Sequence, residues 1–152
     1  VGEAVGYTLG SDINLTSSAV SKSAKSAFGE AKVRPNDIKY LSTYDSFTIT
    51  VLLAIEDLGF CEKGQGGRFV ADGNLISGVG KLPVNTDGGG LSSNHPAHRG
   101  GITKIIETVR QLRGEAHPAV QVTSCDLAIA NGLGGMLDRR HGAATAILER
   151  IS

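Results

Sequence analysis

Three segments of this sequence concentrate side chains that can move protons or hold a negative oxygen. The first is Tyr44-Asp45-Ser46-Phe47. A phenol beside a carboxylate can pass a proton to or from a substrate hydroxyl, while an aspartate ahead of an apolar stretch equally serves as a helix N-cap. The second runs Asn85-Thr86-Asp87-Gly88-Gly89-Gly90-Leu91-Ser92-Ser93-Asn94-His95-Pro96. So many small and polar residues ahead of a His-Pro point to backbone that lines something. The imidazole of His95 can donate through its outer nitrogen to a developing oxyanion; a solvent-facing histidine is the plainer alternative. His98 and Arg99 read as solvent-facing or phosphate-contacting. The third segment is Ala130-Asn131-Gly132-Leu133-Gly134-Gly135, whose glycines lack the G-x-G-x-x-G spacing of a dinucleotide loop and precede no helical pattern.

The elements that must carry these segments are legible as periodic patterns. Residues 1–9 read as extended. Residues 15–31 read as a helix, with Leu15, Ala19, Ala24 and Phe28 near helical spacing and Ser11 or Asp12 available to cap it. Pro35-Asn36-Asp37 is a turn, and 38–43 a short strand leading into the Tyr44 segment. Residues 45–58 read as a buried helix with Phe47, Val51, Leu52, Ile55 and Leu58 on one side and Gly59 at the C′ position. A short helix at 65–71, a brief strand at 82–85 and a helix at 101–113 follow. The last carries Ile102, Ile105, Ile106, Val109 and Leu112 as its apolar stripe. Strands at 126–131 and 143–148 flank a glycine turn at 132–135. Strands alternating with helices predict one layered α/β domain covering residues 1–152.

Composition excludes several classes. Fifteen basic and 15 acidic residues leave no net charge and no field for nucleic acid. No apolar run approaches the roughly 20 residues of a membrane helix, and the first residues form no signal peptide, so cytoplasm is the default compartment. Cys61 and Cys125 lack metal-ligand spacing and read as reduced structural thiols; no metal site is expected. Glycine reaches 21 of 152 residues, roughly twice the average of about 7%. It gathers at 64–67, 78–80, 88–90, 100–101 and 132–135, where backbone must turn sharply or approach something closely.

Taken in order, these motifs resemble the thiolase superfamily in its bacterial lipid-transfer branch. The resemblance rests on Tyr44-Asp45-Ser46-Phe47-Thr48-Ile49, Leu58-Gly59-Phe60-Cys61 with Lys63-Gly64-Gln65-Gly66-Gly67, and Leu82-Pro83-Val84-Asn85-Thr86-Asp87-Gly88-Gly89-Gly90-Leu91-Ser92. It continues through His95-Pro96, Glu107-Thr108-Val109-Arg110-Gln111-Leu112-Arg113-Gly114-Glu115-Ala116, Asn131-Gly132 with Gly134-Gly135, and 143–148. It implies the C-terminal domain of such a protein, a helix–sheet–helix layering around a mixed five-stranded sheet. A first domain carrying the nucleophilic cysteine of true thiolases is then expected to be missing, and a chain starting at Val1 reads as a fragment or a half-sized relative. The resemblance also implies coenzyme A thioesters as substrates, no further cofactor, a homo-oligomer, and a possible OB-fold/zinc-ribbon partner protein.

Three departures bear on the chemistry. Thiolases carry Asn or His where Tyr44 stands, and a Cys-x-Gly base whose place falls here at Ala130 or Asn131. Without either thiol, Claisen chemistry lacks both its acyl carrier and its proton carrier. Retro-aldol cleavage of a β-hydroxyacyl-CoA needs only a base and oxyanion donors. Tyr44, Asp45 and His95 are therefore the expected catalytic residues, and Asn85, Gly89, Gly90, Ser93, Asn131, Gly132 and Gly134 the expected substrate contacts. The branch often carries an aromatic residue just before its His-Pro, where this chain has Ser93-Asn94. A non-catalytic acyl-CoA or lipid carrier and a thiolase proper remain the alternatives, and the isolated domain is expected to be inactive.

Overall fold

The sheet is built outward from one long hairpin. In a computed structural model of the chain, which describes residues 1–5, 14–93, 95–96, 100–135 and 141–151, β3 (Leu127–Gly134) and β4 (Gly142–Glu149) pair antiparallel from Leu127↔Glu149 to Gly134↔Gly142. Strand β2 (Tyr40–Thr43) joins β3 in parallel, and β1 (Gly2–Val5) joins β4 antiparallel, giving the order β1-β4-β3-β2. Successive residues belong to opposite cores, as the period of a strand requires. Leu41, Ile129 and Ile147 pack with Ala19, Val20, Ala24, Ile55 and Leu58, while their chain neighbours Tyr40, Ala128 and Leu148 pack with Leu112, Val122 and Cys125. Helices α1 (Val20–Ala31) and α2 (Thr48–Asp57) thus cover one face and α5 (Gly100–Arg113) the other, with the short α3 (Gly66–Phe69) and α4 (Gly89–Ser92) in the connections.

The layering is the expected one, but the sheet has four strands among the described residues, not five. Residues 82–85 make only a single parallel bridge, Val84 to Leu41. Pro83 has no N–H to give, although its carbonyl accepts from Leu41, and Asn85 turns into the left-handed region at φ 49° immediately after donating to the Leu41 carbonyl.

Other boundaries move for physical reasons. Helix α1 begins at Val20 rather than at 15, because Ser18 is tied across the fold: its N–H and hydroxyl both donate to Asp57, at 2.8 and 2.7 Å. Lys63 pairs with that carboxylate at 2.5 Å and donates to the Thr16 carbonyl. Leu15 is therefore exposed, and the expected caps Ser11 and Asp12 lie outside the described residues. Gly59 does close α2, at φ 83° with Gly59 N–H on Glu56 and Phe60 N–H on Ile55, a Schellman arrangement. Phe47, expected inside, is 63% exposed. The glycines at 132 and 134 do not turn: they continue β3 opposite Ala144 and Gly142, since a ladder needs only backbone groups.

The largest reversal concerns α5. Its bounds are as expected, but Ile102 and Ile106 are 54% and 44% exposed, while Lys104, Glu107, Thr108 and Gln111 are buried beside Leu112. Gln111 shows why. Its Oε1 accepts from Val122 N–H at 2.8 Å and from Gln121 at 2.9 Å, and its Nε2 donates to Thr86 and to the Val120 carbonyl. One amide thus ties the segment after α5 to the loop after 85. Gln111→Met should leave the buried Val122 N–H unpartnered and lower unfolding stability by about 2–3 kcal/mol, measurable by urea denaturation.

Candidate functional site

The site forms where β2 ends. Thr43 is gripped by the side chain of Asn85, whose Oδ1 accepts the Thr43 N–H at 2.8 Å and whose Nδ2 donates to the Thr43 carbonyl at 2.9 Å. The primary amide does here what a neighbouring strand would do. On the other side, Tyr44 N–H donates to the Asn131 carbonyl of β3 at 3.0 Å. Held from both edges, the backbone delivers Tyr44 and Asp45 at the carboxyl end of the sheet, where α/β folds place functional groups.

Asp45 is buried and fully engaged. Its Oδ1 accepts from Gly90 N–H at 2.8 Å, its Oδ2 from Leu91 N–H at 3.2 Å, and the Lys104 ammonium lies 3.6 Å from Oδ1. It is a cap, but for α4 rather than for the helix that follows it in sequence; α2 starts at Thr48, with Thr50 and Phe47 exchanging hydrogen bonds. This contact explains the glycines. Gly89 has φ 60°, and a Cβ there would run into the Asp45 carboxylate and the Asn85 amide; a Cβ at Gly90 would press to 3.1 Å on both Asp45 and the His95 ring. The N–H groups of Gly89 and Gly90 are taken by Asp87 and Asp45.

Behind this turn, His95 meets Tyr44. The phenol oxygen lies 2.7 Å from His95 Nε2, with ring centroids 5.6 Å apart and planes at 48°. The nitrogen expected to face an oxyanion is therefore engaged by Tyr44. The pair can shuttle a proton: the phenol donates to a bare Nε2, and a protonated Nε2 donates back to the phenol oxygen. His95 is exposed and Tyr44 half-buried, so a substrate can reach them.

The remaining expected residues divide. Ser93 is exposed and, with Thr86 and Asp87, lines a groove of 540 Å³ running over α5 past Glu107, Arg110 and His117. Asn131 is fully buried at the centre of a hydroxyl–amide chain: Thr43 donates to its Oδ1, its Nδ2 donates to Thr145, and Thr145 meets Ser23 at 2.8 Å. Gly132 lines a second cavity of 230 Å³ with Ala130, Gly101 and Lys104, while Gly134 lies two residues further along β3. The residues overlooked in the sequence are Lys104, Glu107 and Gln111, whose spacing of three, four and seven was the available signal of a second, polar stripe. Glu107 Oε1 accepts from Thr86 at 2.6 Å and so anchors the groove wall. Tyr40 stands beneath it, its phenol accepting the Thr86 N–H, with burial pushing its ionisation upward.

Neither cysteine offers a thiolate. Burial raises Cys61, and raises Cys125 to about 11. Buried and held protonated, Cys125 should stay unlabelled by a thiol reagent at pH 8 while the chain is folded and react on unfolding in urea. Gly89→Ala, forced into the Asp45 carboxylate at a left-handed φ, should cost roughly 2–4 kcal/mol of unfolding stability, read by thermal denaturation.

Comparison with known proteins places this geometry. A family profile described as "Thiolase C-terminal domain-like" matches residues 3–150. The acetyl-CoA acetyltransferase of Methanothermobacter thermautotrophicus is 42% identical over 117 residues, covering 77% of this chain and 30% of that enzyme. A steroid side-chain-cleaving aldolase of Thermomonospora curvata is 44% identical over 87 residues, covering 57% of this chain and 21% of the aldolase. Among solved structures, the Ltp2-ChsH2(DUF35) aldolase superposes with a TM-score of 0.77 at 28% identity, covering 98% of this chain and 38% of that one. The chain thus spans less than two fifths of the proteins it resembles, and it belongs to the thiolase C-terminal-domain-like family.

Proposed function

We propose that this chain is the C-terminal domain of an enzyme that cleaves, or in reverse forms, a C–C bond in an acyl-CoA thioester by aldol chemistry on a β-hydroxyacyl-CoA. The observation that carries the reading is the 2.7 Å hydrogen bond between Tyr44 and His95 at a site where the thiolase cysteine position holds Ala130 or Asn131. The substrate's β-hydroxyl gives its proton to Tyr44 as the phenol proton passes to His95 Nε2. The Cα–Cβ bond breaks, its electron pair moves into the thioester as an enolate, and the β-carbon leaves as a ketone or aldehyde. The imidazolium then returns the proton by way of Tyr44 to the α-carbon, leaving a shortened acyl-CoA. Ser93 and Gly132, each lining a cavity, serve as substrate contacts on this reading. Asn85, Gly89, Gly90 and Asn131 act from behind, by fixing backbone, and Asp45 holds the turn rather than a substrate proton.

The whole protein on this reading has a second domain and associates further. The exposed apolar side chains Phe47, Ile49, Leu91, Ile102 and Ile106 favour burial against another surface. The name of the aldolase neighbour couples Ltp2 to ChsH2(DUF35); a partner of that kind, an OB-fold/zinc-ribbon protein, is proposed here too. No helix among the described residues is long and apolar enough to cross a membrane.

The test is to incubate the full-length protein, with and without such a partner, with β-hydroxyacyl-CoA thioesters and to follow products by mass spectrometry. A shortened acyl-CoA plus a ketone or aldehyde is expected, with kcat lowered on the order of 100-fold or more in Tyr44→Phe. Intact substrate despite measurable binding would replace the lyase by a carrier, and acyl transfer to free coenzyme A would make it a thiolase.

A further inference from the structure

Lys104 is a charge that the reaction above does not use. It projects from α5 into the interior and is 2% exposed; among the described residues its ammonium has no hydrogen-bond partner and pairs with Asp45 Oδ1, at 3.6 Å. An ammonium taken out of water is costly unless an opposite charge is held beside it, and removing one member of such a pair strands the other. The same Oδ1 accepts the Gly90 N–H, and Oδ2 accepts that of Leu91. Gly90 in turn lies against His95: a Cβ on it would stand 3.1 Å from the imidazole Cδ2. Ammonium, carboxylate, turn and imidazole are therefore arranged in series, and the series ends on the Tyr44 hydroxyl.

We propose that Lys104 is a positioning residue for the Tyr44–His95 pair, acting through Asp45: its charge holds the carboxylate in place, and the carboxylate holds the turn on which His95 rests. The proposal rests on the reading of Tyr44 and His95 as the proton-transfer pair. A role as simple filler is served as well by an apolar side chain of the same length, which is what separates the two in practice. Lys104→Met keeps the length and deletes the charge. Asp45→Asn combined with Lys104→Met deletes both charges while position 45 retains an amide oxygen for the Gly90 N–H.

Both variants should be made in the full-length protein and read in two ways. The first is the ¹⁵N shift of His95 Nε2 without substrate, which reports the hydrogen bond to Tyr44; the second is kcat against KM for the cleavage. Lys104→Met should lose the shifted resonance and at least ~tenfold in kcat, with KM changed by less than about threefold. The double variant should recover the resonance and the rate in part, because an amide oxygen serves the Gly90 N–H but not that of Leu91 as well. A single variant that keeps both signals overturns the proposal, as does a double variant no better than the single. Should Lys104→Met alone fail to fold, the double variant decides: folded with the His95 resonance restored supports the series, and unfolded overturns it. If the parent cleaves no substrate, the resonance still tests the link from Lys104 to His95, and the lyase reading falls by itself.

Discussion

The structure depends on an α-helix that buries a polar stripe beside its apolar one. In α5, Lys104, Glu107 and Gln111 face inward while Ile102 and Ile106 face out. Burying such groups is unfavourable unless each finds partners, and each inward side chain has them: Lys104 the Asp45 carboxylate, Glu107 the Thr86 hydroxyl, Gln111 the same hydroxyl and the 120–122 backbone. These partners lie on three segments that have no strand or long helix to hold them. The helix therefore acts as a rack on which the loops hang, with Ile102 and Ile106 exposed on its outer side.

The second constraint is where, among the described residues, the pairing beside β2 stops. A full strand there would take up the backbone groups along that edge of β2. Instead, Pro83 and the left-handed Asn85 stop the pairing after one bridge. The Asn85 side chain then completes the hydrogen bonding of Thr43. The backbone released by that substitution becomes the Asp87–Gly90 turn, and the turn closes only because glycine at 89 admits the Asp45 carboxylate where any Cβ would stand.

Local patterns in the sequence foretold what local forces decide. The bounds of α5, the glycine that ends α2 and the layering of helices on a sheet follow from short-range periodicity and capping, and they are as expected. The orientation of α5 was legible only in part: Leu112 of the expected apolar stripe is buried and Ile105 and Val109 are half-buried, but Ile102 and Ile106 face out, and the burial of Lys104, Glu107 and Gln111 depends on distant Asp45, Thr86 and Val122. Asp45 illustrates the same limit within the site. Its type and place announce an N-cap, yet the N–H groups it caps are 45 and 46 residues further along, a pairing that spacing within one helix does not reveal. The meeting of Tyr44 with His95, 51 residues apart, was anticipated only as two residues of one resembling family, not as a hydrogen bond. The glycines at 132 and 134 misled in the opposite direction, since glycine permits a turn but does not require one.

These constraints converge on the chemistry. Midway along β3, where the resemblance places a thiolase cysteine, stand Ala130 and a fully buried Asn131 whose side chain is locked into the chain from Thr43 to Ser23. The two cysteines that exist are raised by burial and belong to no polar cluster of the site. What the fold presents instead is a phenol and an imidazole in contact, with a buried carboxylate fixing the turn beside them. A phenol and an imidazole in contact can pass a proton between them, and it is this pair, not a thiol, that the described residues bring together beyond the end of β2.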